Sequence, residues 1–159
     1  MYSEEDLALI RSYHESVDDE VVCFLEKVYQ GQNASPVTVG FLTTKAAEDI
    51  ERLTGKKVSG NRIVLDDNGA WHIKKRHGQM GEHDESMKDV KDIARIGYVL
   101  ANYDSIEFRG EYAQGYVDAN GKLAPKVIIK KRIDGTFYVI EAVSDAKKKR
   151  NYVVSAYIN

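Results

Sequence analysis

Apolar residues recur at helical spacing early in the chain and at alternate positions near its end. Leu7, Ile10 and Tyr13 follow Ser3-Glu4-Glu5-Asp6, a helix start with acids in its first turn. Val21, Val22, Leu25 and Val28 predict a second helix from Asp18 to about Tyr29, ended by Gly31. PVTVGFL (36–42) reads as a buried strand. Thr43 or Thr44 can cap a third helix, KAAEDIERLTG, closed by Gly55. KVSGNRIVLD (57–66) reads as a strand and DDNG (66–69) as a turn. WHIKKRHG (71–78) falls on a short helix or at a helix end, closed by Gly78. QMGEHDES (79–86) has no apolar period and predicts a loop. Ser86 or Asp89 should open a longer helix, with Met87, Val90, Ile93, Ala94, Gly97 and Leu100 on one stripe.

From Asp104 onward the pattern changes to strands. SIEFRG, KVIIKKRI, TFYVIEAV and NYVVSAYI are rich in β-branched and aromatic residues. Asp134-Gly135 marks a tight hairpin between the second and third. Short links make consecutive strands antiparallel. The expected fold is α+β: N-terminal helices, then a C-terminal four-stranded antiparallel sheet. A chain of 159 residues fits one domain, with residues 1–56 as a helical entry region and 57–159 as its core.

Charge sharpens this picture. Residues 1–70 hold 7 Lys and Arg against 13 Asp and Glu; residues 71–159 hold 16 against 12. A basic C-terminal half fits either a polyanionic ligand or a solvated sheet edge. No apolar run reaches the roughly 20 residues of a membrane helix. The lone Cys23 excludes an internal disulfide and a cysteine-built zinc site. Its apolar setting, VVCFL, predicts a buried, inert thiol.

His72 and His77 are five residues apart, about 140° around a helix axis. That is not the i,i+4 pair that binds zinc. His77, His83, Asp84 and Glu85 can be drawn as a metal cluster, but their spacing fits no known motif. A metal-free use is simpler. One imidazole can remove a proton and another return it, while neighbouring Lys75 and Arg76 attract phosphate. Those groups suit RNA cleavage by the ribose 2′-hydroxyl. Further along, strand alternation gives NYVVSAYI an apolar face of Tyr152, Val154, Ala156 and Ile158. Val153, Ser155 and Tyr157 point the other way. Lys131 shares a face with Val127, Ile129 and Ile133, whereas Lys130 and Arg132 share the opposite one.

Taken in order, these segments resemble nuclease domains of the barnase–EndoU–colicin–RelE group found in phage head-associated proteins and polymorphic toxins. The resemblance rests on HIKKRHG (72–78), NYDSIEF (102–108), KRIDGTFYVIEAV (131–143) and KKKRNYVVSAY (147–157). Ser155 stands where threonine is more common, and Ile140 precedes Glu141 in place of tyrosine or valine. The resemblance implies a metal-independent ribonuclease without cofactor. Its site residues would be His72, His77, Lys131 and Ser155, with Arg76 on a phosphate. Lys75, Arg132 and Tyr157 are further expected substrate contacts.

The expected function is a toxin endoribonuclease. It would cut RNA, tRNA first among the candidates, and be neutralised by a cognate immunity protein. It would be made as the C-terminal part of a secreted or phage-borne protein and act in the target-cell cytoplasm, as in contact-dependent growth inhibition. The alternatives are a non-catalytic RNA- or protein-binding domain and a metal-dependent DNA nuclease.

Overall fold

The computed structural model describes residues 1–159. The chain begins with α1 (Glu4–Glu15) and α2 (Asp19–Tyr29), then β1 (Val37–Phe41), α3 (Thr44–Thr54), β2 (Arg62–Leu65) and α4 (Asp67–His77). Two short helices follow, α5 (Val90–Ile93) and α6 (Ile96–Ala101). The rest is β3 (Ser105–Val117), β4 (Leu123–Arg132), β5 (Thr136–Ala142) and β6 (Arg150–Ile158). Side-chain caps start five of the six helices: Ser3 with Asp6 as a capping box, then Asp18, Thr43, Asp66 and Asp89. Gly55 closes α3 at φ +75°, as the sequence predicts.

The fold is α+β, but its sheet is larger and its helices more dispersed than the pattern implies. Six strands form one mixed sheet in the order β1-β2-β6-β5-β4-β3. The expected antiparallel meander is β3 to β6. β2 extends it by pairing parallel to β6, and β1 pairs antiparallel to β2. β1 is an edge strand rather than a buried one, and Phe41 is exposed. DDNG is not a free turn: Asp66 is the N-cap of α4 and the next three residues form its first turn. The helix expected through residues 87–100 breaks at Arg95 into α5 and α6. There Arg95 turns its guanidinium to Asp92 and to the carbonyl of His14.

One sheet face carries the core. Val127, Ile129, Phe137, Val139, Val153 and Ala156 pack there against Val21, Leu25, Val28, Ile50 and Ile73. Cys23 is exposed, because Val21, Phe24, Leu25 and Val28 take the inner side of α2. Buried polar groups tie β2, β5 and β6 together. Asn61 donates to Asn151, and Asn151 donates to Glu141 Oε1 at 3.2 Å. Glu141 is fully buried and its Oε2 has no partner. Burial pushes its carboxyl up to about 7, against the smaller opposing effect of Asn151.

The other sheet face stays largely uncovered. A bulge in β6 decides which residues reach it. Glu141 pairs with Val153 and Ile140 with Ser155, so Val154 is the extra residue. Strict alternation therefore fails. Val153 joins the core, whereas Tyr152 and Val154 pack with Tyr116 and Ala142 in a small second cluster. Ser155 and Tyr157 still share this face, opposite Ile140 and Tyr138.

Candidate active site

α4 lies along the part of β6 that β2 leaves unpaired. Close approach needs Gly69, since a Cβ there would stand 2.2 Å from the Val153 carbonyl oxygen. At the other end of the helix, His77 stacks on Tyr157, with ring centroids 4.7 Å apart. Tyr157 in turn stacks on Tyr138 at 4.8 Å. Three rings thus form a continuous column on the open sheet face.

An α-helix leaves its last four carbonyls without partners. In α4 the following loop supplies them. The backbone N–H groups of Met80, Glu82, His83, Asp84 and Met87 donate to the carbonyls of Lys74, Lys75, Arg76, Arg76 and His77. This wrapping carries the acidic loop back over the helix end and places Asp84 beside His77. Asp84 Oδ2 lies 2.9 Å from His77 Nδ1. Asp84 Oδ1 accepts from the Ser86 N–H at 3.0 Å and the Ser86 hydroxyl at 2.7 Å. Ser86 Oγ accepts from the Ile158 N–H at 3.0 Å. The chain Ile158–Ser86–Asp84–His77 fixes the imidazole to the end of β6. Burial opposes ionisation of Asp84, but hydrogen bonds from Ser86 and then His77 outweigh it and hold the carboxyl below its usual value.

His77 is buried, on the side of α4 that carries Ala70 and Ile73. His72 sits at the rim, exposed as a residue but with its ring partly shielded. Burial of the ring lowers its pKa first, and the charges of His77, Arg76, Lys126 and Lys75 add to the effect. The expected divergence of the two histidines is present, yet both border the same sheet face.

The other expected site residues divide. Tyr157 is in the ring column. Ser155 is 7% exposed and its Oγ has no hydrogen-bond partner. Arg76 is exposed beside His72, and Lys75 lies 4.0 Å from Glu82. Lys131 does not join them. Strand alternation places it with Phe137 on the core face, where Asp104 holds it at 3.1 Å. Asp104 also accepts from the Arg132 N–H at 2.7 Å, so the NYDSIEF and KRIDG phrases meet here as a structural clamp. The exposed Arg132 side chain sits at the hairpin end of β4, away from α4.

Cations that the motif reading passed over occupy the open face. Lys130 pairs with Tyr138 across β4 and β5, lies over its ring and contacts Glu107. Lys126, further along β4, contacts Glu111 at 3.6 Å. Burial raises the Tyr157 pKa first, and the positive charges of Arg109 and Lys130 pull against that. Alternation along β4 was the available signal: Lys126, Lys130 and Arg132 fall on one face. Asp84 was visible only as a possible metal ligand. In the structure it serves His77, and no three His, Cys, Asp or Glu side chains converge as a ligand set.

The face as a whole offers one histidine held by a carboxylate, a second of lowered pKa, flanking cations and an aromatic column. A family model described as phage-Barnase-EndoU-ColicinE5/D-RelE like nuclease3 matches residues 40–159. Neither the curated proteins nor the solved structures contain a match.

Proposed function

The chain belongs to the phage-Barnase-EndoU-ColicinE5/D-RelE like nuclease family, and from that premise we propose an endoribonuclease that uses the ribose 2′-hydroxyl as its nucleophile. A nuclease family implies a nucleic-acid substrate. The observation that carries the RNA reading is the pairing of His77 with Asp84 on a face that also holds His72, Lys126 and Lys130.

His72, its pKa lowered, is the base. It takes the 2′-hydroxyl proton as that oxygen attacks phosphorus. Lys126, Lys130 and Arg76 stabilise the charge that gathers on the phosphorane. Asp84 engages His77 Nδ1 and leaves Nε2 to deliver a proton to the departing 5′-oxygen. The Ser155 hydroxyl is buried and has no hydrogen-bond partner, so it supports the sheet beneath the site rather than contacting the phosphate directly. The bond from phosphorus to the 5′-oxygen breaks. The products are a 2′,3′-cyclic phosphate and a 5′-hydroxyl. No step in this scheme calls for a metal ion.

The wider role that fits is a toxin domain, delivered on a secreted or phage-borne carrier and acting on tRNA or another structured RNA in the recipient cytoplasm. An immunity protein with an acidic surface would neutralise it by covering the cationic face. No helix is long and apolar enough to cross a membrane.

A single 2′-deoxy substitution at a mapped cut site tests the chemistry. It should abolish cleavage at that bond alone, with products from the unmodified RNA carrying cyclic-phosphate ends. Undiminished cleavage at the deoxy position would rule out 2′-hydroxyl attack.

A further inference from the structure

Beside His72 the surface opens into a cleft of about 140 Å³, lined by Asn68, Gly69, His72, Gln114, Tyr116 and Val154. It is built rather than incidental. Tyr116 donates its hydroxyl to both oxygens of Asp66, at 2.9 and 3.1 Å. Asp66 also caps α4 through the Gly69 N–H. This joint ties the far end of the β3–β4 hairpin to the first turn of α4 and sets the width between them. Tyr116 is braced from behind by Tyr152, with centroids 4.9 Å apart. Gly115, at φ +87°, lets β3 turn so that Gln114 and Tyr116 both reach the cleft. A Cβ there would meet Asn68 Nδ2 at 3.7 Å, so the backbone conformation rather than crowding calls for glycine.

The lining states what fits. Clefts for drug-sized ligands run to about 300–1,000 Å³, so this one has room for a single ring system. No lysine or arginine lines it, so it does not suit a phosphate. An aromatic wall and two exposed carboxamides suit a planar ring with hydrogen-bonding edges. His72 forms one side, so the occupant's sugar would lie next to the base of the reaction.

We propose that this cleft holds the nucleobase of a nucleotide flanking the scissile phosphate. Asn68 and Gln114 read its edge, which makes it a specificity subsite of the ribonuclease reading on which it rests. A carboxamide presents a donor and an acceptor side by side, the complement of adenine's exocyclic amine and adjacent ring nitrogen. Asn and Gln characteristically pair with adenine's N6/N7 edge, so adenine is the occupant this pair of carboxamides selects, with the other bases as the comparison.

Nucleoside 3′-monophosphates contain no internucleotide bond and can be titrated into the intact wild-type chain. Carboxamide NMR signals of Asn68 and Gln114 should shift on saturation. Adenosine 3′-monophosphate should bind roughly fivefold or more tightly than the uridine nucleotide. Asn68→Ala and Gln114→Ala, both at exposed positions, should erase that ratio while thermal unfolding confirms an intact fold. Equal affinity for all four bases, a ratio that survives both substitutions, or no binding would overturn the subsite. Those results leave the ribonuclease reading standing, because the 2′-deoxy substrate decides that separately.

Discussion

His77 is placed by residues that hold it from three sides. Tyr157 supports the ring face, Asp84 holds Nδ1, and Ser86 ties Asp84 to Ile158. His77→Ala should lower kcat by about 10²–10⁴-fold, the usual contribution of a positioned acid or base. Asp84→Asn keeps the shape but loses the carboxylate, so it should lower kcat more than it raises KM, and single-turnover kinetics separates the two. His72 gives a pH signature. Its lowered pKa means that the base is already free below histidine's ordinary range, so the acidic limb of kcat/KM should lie at lower pH than an exposed histidine would give. Burial is the main cause and Lys126 a contributor. Lys126→Ala should therefore move the limb upward, though not fully to the ordinary value. At this scale the sequence was partly legible. HIKKRHG exposed both histidines, and spacing showed that they diverge. It did not show Asp84 as the partner of His77, because six residues with no apolar period lie between the two. The pairing arises only when the loop satisfies the carbonyls of α4.

The seam between α4 and β6 is the element on which the site depends. Gly69 allows the approach, and Tyr116 with Asp66 fixes the first turn. Gly69→Ala would drive a methyl group into the Val153 carbonyl. It should destabilise the fold by about 1–3 kcal/mol and reduce cleavage by displacing His72, as denaturant melts and kinetics on the same samples would show. The periodicities predicted α1, α2, α3 and the four-strand meander because each has its own repeat and stop signal. They misread β6 because one extra residue, Val154, reverses the phase of everything before it. They also misread DDNG, whose turn-like residues serve equally well as a helix cap and first turn. Lys131 shows the limit of motif transfer. Its placement among apolar neighbours was read correctly from alternation, and that same placement keeps it off the face with Ser155.

For the whole molecule, the charge asymmetry between the two halves was visible in composition, and the structure puts part of the basic half, Lys126 and Lys130 of β4, on the open sheet face. The parallel pairing of β2 with β6 was not visible, since nothing local marks two segments nearly 90 residues apart as neighbours. The buried Glu141 beside that pairing gives the fold a pH dependence. Its folded pKa, about 7, lies above the ordinary 4.5. Between those values the folded chain retains a proton that the unfolded chain releases, so this group's contribution to stability falls as pH rises and levels off above about 7. Glu141→Gln should remove that slope, and urea melts at pH 5 and pH 8 would reveal it. In the proposed mechanism this face cuts RNA with its own side chains. The most direct measurement is incubation of total RNA with wild-type and His77→Ala protein in excess EDTA. Cleavage by the wild type should survive the chelator and be lost in the variant. Cleavage abolished by EDTA, or equal cleavage by His77→Ala, would contradict it.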